Sequence, residues 1–194
     1  MVERNGWGSA VFSNSGSVEA VSVPGFFGWV VGAEIRGAAW QLGLPDPLLA
    51  FSVHAPSRGE SYSRQVDKLL DAIGRLAGGR PVVIGGDFNL TVSSGVATDR
   101  PVGKRDAAIQ ARLAGEFGLV NCWREANPAD PRHQTLRWTG DRTVPYHCDG
   151  LFVPESWRAR LRSCAVLSGD EWDLLSDHNP VAACFADGPT PSNS

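Results

Sequence analysis

The spacing of apolar residues changes along the chain from strand-like to helix-like and back again. Apolar stretches bounded by turn residues predict strands over residues 8–13, 18–23, 30–35 and 48–54. Apolar positions at helical spacing follow from Val66 to Leu76 and predict a helix that ends at Gly78. The first half of the chain therefore reads as a meander of strands followed by a helix.

The second half mixes the two kinds of element. A short, wholly apolar run over residues 81–84 predicts a buried strand, and an apolar stripe from Asp106 to Phe117 predicts a second helix. Four further strands are predicted over residues 135–138, 147–153, 162–167 and 181–185. Because strands outnumber helices, the pattern favours an α/β or α+β fold. We expect one domain over residues 1–186 and a flexible tail over residues 187–194.

Composition narrows the class of protein. Of the 194 residues, 42% are hydrophobic and 20% are charged, which excludes a disordered chain. The chain has no apolar run of the ~20 residues needed to cross a bilayer and no signal peptide at its start, so we expect a cytoplasmic protein without a membrane partner. A net charge of −3 excludes a surface that is basic throughout and binds nucleic acid nonspecifically, but it allows a locally basic groove. The four cysteines lack metal-ligand spacing and are expected to be buried, reduced thiols.

Candidate chemistry begins where the buried strand ends, in the sequence Gly-Gly-Asp-Phe-Asn. Asp87 and Asn89 are two residues apart, so in an extended chain their side chains leave on the same face. A carboxylate and an amide there suit a hard metal ion or a phosphoryl oxygen. An ordinary Asx turn is the alternative interpretation.

Three further clusters of polar residues are candidates for metal binding or proton transfer. Asp177 and His178 precede a predicted strand, where they could divide metal binding and proton transfer, or form only a polar loop. Asp149 lies in an apolar segment, where a lone carboxylate is costly unless it is paired, and a histidine is the natural partner. His54 ends an apolar strand just before a proline, a position where a structural role is commoner than a catalytic one.

Together, the four segments resemble the motifs of the endonuclease/exonuclease/phosphatase superfamily, which includes DNase I-like nucleases. The matching segments are Val-His-Ala-Pro-Ser at 53–57, Gly-Asp-Phe-Asn at 86–89, His-Cys-Asp at 147–149 and Ser-Asp-His-Asn-Pro at 176–180. The resemblance implies an α/β sandwich of two packed, mostly antiparallel sheets flanked by helices. It also implies hydrolysis of phosphate esters with Mg²⁺ or Mn²⁺ as cofactor.

Roles can be carried over only to these matching positions. The resemblance implies that Asp177 binds metal and that Asp87 orients or activates the attacking water. It implies that Asn89 contacts the phosphate, and that His178, held by Asp149, binds the phosphate or moves a proton. His54 would lie near a substrate oxygen, and Asp87, Asn89 and His178 are also expected around the metal.

The resemblance has one gap, at the beginning of the chain. The family's opening strands, which carry an Asn and a metal-binding Glu, have no counterpart here, and neither Glu3 nor Glu34 lies in a matching motif. We therefore expect an N-terminally shortened fold, weakened binding of a hard metal, and possible self-association through exposed sheet edges.

The resemblance implies that the substrate is a phosphate ester, and we favour nucleic acid over a lipid or sugar phosphate. Two arginine-rich loops are expected near the site, and they supply the candidate substrate-binding residues Arg100, Lys104, Arg105, Arg137 and Arg142. The high arginine content can equally reflect genome composition. A phosphodiesterase or nuclease is the first hypothesis. The alternatives are a phosphomonoesterase and a non-catalytic relative that retains phosphate or nucleic-acid binding.

Overall fold

The computed structural model describes residues 2–4, 7–37, 47–57, 59–93, 102–129, 133–137 and 146–186. The strands are β1 (Val2–Arg4), β2 (Trp7–Ser9), β3 (Ser17–Val21), β4 (Val30–Arg36), β5 (Leu48–His54), β6 (Val82–Asp87), β7 (Leu119–Asn121), β8 (Asp149–Pro154), β9 (Leu161–Val166) and β10 (Val181–Phe185). The helices are α1 (Tyr62–Ala77), α2 (Lys104–Gly115), α3 (Cys122–Ala126) and α4 (Asp170–Asp173), with a 3₁₀ helix over Glu155–Arg160.

The centre of the fold is a mixed sheet of six strands in the order β3-β4-β5-β6-β8-β7. Among the strand pairs that the structure describes, only β5–β6 is parallel, and the chain crosses between these strands through α1. Strands β9 and β10 form a second, antiparallel sheet. This architecture confirms the predicted α/β fold with mostly antiparallel sheets.

Strand alternation divides the core between the two faces of the central sheet. In β5, Leu49 and Phe51 point into one hydrophobic cluster, while Leu48 and Ala50 point into the other. Helices α1 and α2 cover the first face, where the apolar stripe of α1 includes Leu69, one of its fully buried residues. Strands β9 and β10 and helix α3 cover the second face. A sheet covered on both sides explains why its central strands are almost continuously apolar.

Several predicted elements match their observed bounds closely. The strands over residues 48–54 and 181–185 coincide with β5 and β10, and the first helix ends where expected because Gly78 adopts the left-handed conformation, with φ 57°.

Two predicted strands are wrong in part. Residues 10–13 leave the sheet after β2. The described part of the segment over 135–138 is not a strand, because its pairing is limited to isolated bridges from Leu136 to Tyr146 and to His178. Residue 138 and the predicted tail lie outside the described residues.

Three of the four cysteines are buried free thiols, as expected, but Cys184 is exposed on β10. Strand β10 packs one face onto the core and turns the other outward, so alternation exposes Cys184. Burial raises the pKa of Cys122 to about 12 and that of Cys164 to about 11, which keeps both thiols protonated.

Among the helices that the structure describes, none combines the length and the apolar composition that a membrane span requires. Strands β3 and β7 form the edges of the central sheet. Association of two copies through such an edge stays a prediction.

Candidate active site

Three sequence-predicted residues meet because their strands are in register. His54 pairs with Asp87 across the β5–β6 ladder, and Asp87 pairs with Asp149 across the β6–β8 ladder. Alternate residues of a strand point to the same face of the sheet. The side chains that lie two or four residues from these three on the same strands face the β9–β10 layer, and they include Ala50, Val83 and Leu151. The three side chains therefore leave the same end of the sheet on the same face.

Gly86 makes this arrangement possible. Its φ is 133°, and a Cβ built on it would stand 2.0 Å from the carbonyl oxygen of Val53. Only glycine accommodates so close an approach of the two parallel strands. The backbone of Val53 occupies the position where a side chain on Gly86 would lie, and this close approach of the two strands fixes Asp87 beside His54.

His178 completes the site from the loop that precedes β10. Its Nδ1 lies 2.9 Å from Oδ2 and 3.2 Å from Oδ1 of Asp149. Because an ionised carboxylate only accepts, Nδ1–H is the donor and the neutral ring carries its lone pair on Nε2. The hydrogen bond from Nδ1–H to Asp149, together with the negative charges of Asp149, Asp87 and Asp177, raises the pKa of His178 despite partial burial.

Asp87 is held by the Asx turn that the sequence had offered as the alternative interpretation. The backbone N–H of Asn89 donates to Oδ1 of Asp87 at 2.8 Å, and the Asn89 amide donates to Oδ2 at 2.9 Å. Asn89 adopts a positive φ of 52°, and its amide also donates to the Ala55 carbonyl oxygen. The turn and a functional role are compatible here, because the turn orients the carboxylate.

Burial is the largest influence on Asp87. It raises the pKa of this carboxyl group, with the neighbouring negative charge of Asp149 adding to the rise and the Asn89 hydrogen bond opposing it. Nε2 of His54 lies 3.8 Å from Oδ2 of Asp87. A carboxylate with a raised pKa next to an imidazole is a stronger base than a solvated aspartate.

His54 is fixed by contacts on its other side. Its backbone N–H donates to the carbonyl oxygen of Trp29 at 2.9 Å, and the two rings meet edge to face with centroids 5.4 Å apart. The His54 side chain remains 44% exposed, so its imidazole is open to a ligand.

The segment from Thr135 to Arg137 supports both members of the histidine–aspartate pair. The buried Thr135 hydroxyl accepts from the backbone N–H groups of Cys148 and Asp149, and the Thr135 carbonyl accepts from Asn179 N–H at 2.7 Å. The N–H of Arg137 donates to the carbonyl oxygen of Asp177. Sequence reasoning missed Thr135, and a polar residue in a segment predicted as a strand was the signal that could have found it.

The Arg137 guanidinium is engaged within the protein. It donates to Oδ1 of Asp173 at 2.9 Å, to the Asp173 carbonyl oxygen, to Oδ1 of Asn179 and to the Ser176 carbonyl oxygen. These acceptors belong to the last residue of helix α4 and to the loop that follows it and carries His178. The structure therefore ties the predicted substrate-binding Arg137 to the site's own framework.

Four side chains converge closely enough to hold a cation. One donor atom each from Asp87, Cys148, Asp149 and His178 lies within 4.8 Å of the other three. The carboxylate oxygens suit a hard divalent metal such as Mg²⁺ or Mn²⁺. Asp177, predicted as a metal ligand, is exposed and stands outside this group, although its charge acts on His178.

A cavity of about 540 Å³ opens onto this group and is lined by both Asp149 and His178. It also reaches Gly85 and Gly86 on β6 and Ser176 on the loop before β10. A substrate entering the cavity meets the histidine–aspartate pair directly.

The other predicted substrate-binding residues lie elsewhere or outside the described residues. Lys104 and Arg105 are exposed at the start of α2, and Arg105 lines a separate groove with Ser63 of α1. Arg100 and Arg142 are outside the described residues. Their roles as phosphate contacts stay predictions.

Among solved structures, the fold is similar to three enzymes of nucleic-acid metabolism. A 3′ phosphatase, NExo, from Neisseria, solved with a product DNA hairpin, gives a TM-score of 0.63 at 18% identity, over 87% of this chain and 70% of that chain. An AP endonuclease from Archaeoglobus fulgidus gives 0.61 at 16% identity, over 88% and 70%. The endonuclease domain of TRAS1, a telomere-specific non-LTR retrotransposon, gives 0.52 at 20% identity, over 87% and 68%.

A relative of known sequence is the transposon TX1 uncharacterized 149 kDa protein of Xenopus laevis, which is 28% identical over 142 residues. The match covers 72% of this chain but only 10% of the length of that relative. The family model described as the endonuclease/exonuclease/phosphatase family matches residues 2–178, which is most of the chain. With its fold and its converging carboxylate and imidazole groups, the chain belongs to the endonuclease/exonuclease/phosphatase family.

Proposed function

We propose that this chain is a divalent-metal-dependent phosphodiesterase that cleaves nucleic acid. The observation that carries the proposal is the row of His54, Asp87 and Asp149, closed by the hydrogen bond between Asp149 and His178. Carboxylates and imidazoles at one end of a sheet supply the base, the acid and the ligands that hydrolysis of a phosphodiester requires. The nucleic-acid enzymes among the fold's neighbours support this class of substrate.

Asp149 and His178 act together on the phosphate. Asp149 fixes the ring so that Nε2 is available to the substrate, and it favours the protonated ring by raising the pKa of His178. An imidazolium at this position donates a hydrogen bond from Nε2–H to a phosphoryl oxygen and stabilises the charge that develops there.

Asp87 orients the attacking water and accepts its proton. Its oxygens are oriented by Asn89, and its raised pKa makes it a better proton acceptor at neutral pH. We propose that His54, whose Nε2 lies 3.8 Å from Oδ2 of Asp87, contacts the same water or a non-bridging oxygen.

Asp87 and Asp149 are the two carboxylates of the converging group that would hold Mg²⁺ or Mn²⁺, and Asp177, which stands outside that group, is proposed as a further ligand. When bound, the metal polarises the phosphoryl oxygens as a Lewis acid. The four-residue donor group contains two carboxylates and no glutamate, and the affinity of a hard-metal site rises with its number of charged ligands. We therefore propose that the metal binds weakly.

The experiment compares three substrates in Mg²⁺ or Mn²⁺: a single-stranded DNA, a DNA with a 3′-terminal phosphate, and an aryl phosphomonoester. Internal cleavage that is lost in Asp87→Ala and in His178→Ala supports the phosphodiesterase. Release of the terminal phosphate alone would favour the phosphomonoesterase, and salt-sensitive binding without turnover would favour a non-catalytic relative.

Lys104 and Arg105 are proposed as contacts to substrate phosphates. If each neutralises one phosphate, Lys104→Ala and Arg105→Ala each reduce the slope of log affinity against log salt by about 0.7–0.9. Unchanged slopes would remove both residues from the substrate path.

A further inference from the structure

A buried thiol lies against the histidine–aspartate pair without a part in the proposed mechanism. Cys148 is 1% exposed, and its Sγ stands 3.6 Å from Oδ2 of Asp149. Burial, together with the negative charges of Asp149 and Asp87, raises the pKa of this thiol, so it is neutral in the protein alone. A nearby cation with sufficient affinity for sulfur would favour the thiolate over the neutral thiol.

We propose that Cys148, Asp149, His178 and Asp87 form a site for a thiophilic divalent cation, Zn²⁺ or Cd²⁺, that shuts the active site. On binding, the Cys148 thiol releases its proton to solvent and the thiolate becomes a ligand. Inhibition by the cation rests on the proposed function, whereas binding of the cation does not.

The geometry is near that of a tetrahedral zinc centre. Ligand bonds of about 2.3 Å to sulfur and 2.0–2.2 Å to nitrogen and oxygen place neighbouring donor atoms about 3.3–3.6 Å apart. The 3.6 Å from Sγ of Cys148 to Oδ2 of Asp149 already matches this spacing. The 2.9 Å between Nδ1 of His178 and the same oxygen must open slightly, and no donor atom starts more than 4.8 Å from another.

The set of donors selects the class of cation. One sulfur, one imidazole nitrogen and two carboxylate oxygens favour Zn²⁺ or Cd²⁺, whereas Mg²⁺ avoids sulfur. The cavity lined by Asp149 and His178 gives a cation access to the group. Two carboxylates and one thiolate also supply more negative charge than a dication carries, which favours its retention.

Binding removes the groups that the reaction needs. A cation on Nδ1 of His178 displaces the proton donated to Asp149, which passes to solvent from an imidazolium or through solvent to Nε2 of the neutral ring. The metal-bound ring then holds a single proton, on Nε2, and can no longer act as an imidazolium. The same cation occupies Asp87 and thereby withdraws the proposed base.

Cobalt titration provides the first test, because thiolate ligation gives Co²⁺ an intense near-ultraviolet charge-transfer absorption. The background is Cys184→Ser, which removes the exposed thiol. We expect one equivalent of Co²⁺ to produce the band in this background and with the matched buried control Cys164→Ser, but not with Cys148→Ser. A band that persists without Cys148, or never forms with it, overturns the proposal.

X-ray absorption at the zinc edge needs no substitution of a buried residue, so a misfolded variant cannot obscure the outcome. We expect the Cys184→Ser protein with one equivalent of Zn²⁺ to show one sulfur at about 2.3 Å and nitrogen or oxygen neighbours at about 2.0–2.2 Å. A shell of nitrogen and oxygen alone overturns the proposal. Sulfur ligation in a chain that hydrolyses nothing would refute the proposed function and leave this site standing.

Discussion

Replacing Asp149 with Asn removes one charge from the centre of the site while preserving its shape. In the wild type, Nδ1–H of His178 donates to Asp149 at 2.9 Å, and this bond is the largest cause of the raised pKa of the ring. The Asn side chain offers at most one neutral acceptor. The imidazolium therefore loses the anionic partner that favours its charged form, and the pKa of His178 falls.

The size of the effect follows from the bond that is lost. A hydrogen bond to a charged group contributes about 1.5–3 kcal/mol net, and each 1.36 kcal/mol of transition-state stabilisation is tenfold in rate. If the Asp149 bond acts in the transition state, kcat falls by about 10- to 100-fold. At saturating metal KM changes little, because the atom of His178 that faces the substrate stays in place.

Two measurements check this prediction, the pH profile of kcat and the NMR titration of the His178 ring. Because Asp149 raises the pKa of His178, the wild-type ring stays protonated to higher pH, and the alkaline limb of activity moves to lower pH in Asp149→Asn. Asp71→Asn, which removes an exposed carboxylate on α1, is the charge-matched control and leaves both quantities unchanged. Equal titration curves for His178 in wild type and Asp149→Asn would refute the reasoning.

Three further predictions test the framework of the site. Arg137→Met removes four hydrogen bonds to helix α4 and to the loop that bears His178. It therefore lowers kcat and reduces the free energy of unfolding in urea by about 1–3 kcal/mol, with partial rescue in Arg137→Lys. An unchanged kcat would contradict this prediction. Gly86→Ala lowers the free energy of unfolding by more than about 3 kcal/mol, because the new Cβ would clash with the Val53 carbonyl oxygen. Gly85→Ala is the control and lowers it less, because the new Cβ meets a flexible side chain at 3.2 Å. Equal unfolding midpoints for the two variants would contradict this prediction. Calorimetry should show weak Mn²⁺ binding, and tight stoichiometric binding would disprove it.

Strand and helix patterns predicted the central elements of the fold well. Strand β5 matches its predicted bounds because a buried strand bounded by Pro47 and Pro56 leaves little freedom at its ends. Strand β7 and helix α3 were missed because three and five residues are too few to display a period. Short elements of this kind are defined by packing, here around the buried Trp123, rather than by local sequence.

The polar motifs predicted residues that converge in the candidate site, but not what holds them in place. His178 and Asp149 are 29 positions apart, and nothing local in either segment states that Thr135 joins them through backbone hydrogen bonds. The same limit applies to Arg137, whose charge suggested a phosphate contact, whereas its partners are carbonyl, amide and carboxylate oxygens of helix α4 and the loop that follows it. Long-range support of this kind depends on tertiary packing, which a local pattern cannot contain.

The period of the strands explains why motifs scattered over more than 120 positions form one site. His54, Asp87 and Asp149 each continue a row of side chains that faces the β9–β10 layer, and the ladders place them side by side. A slip of one residue in either ladder would turn its carboxylate toward the helical face and bury a charge against apolar side chains. The hydrophobic alternation that folds the sheet therefore also fixes the geometry of the candidate site, so substitutions in the strand cores should affect activity through register as well as through stability.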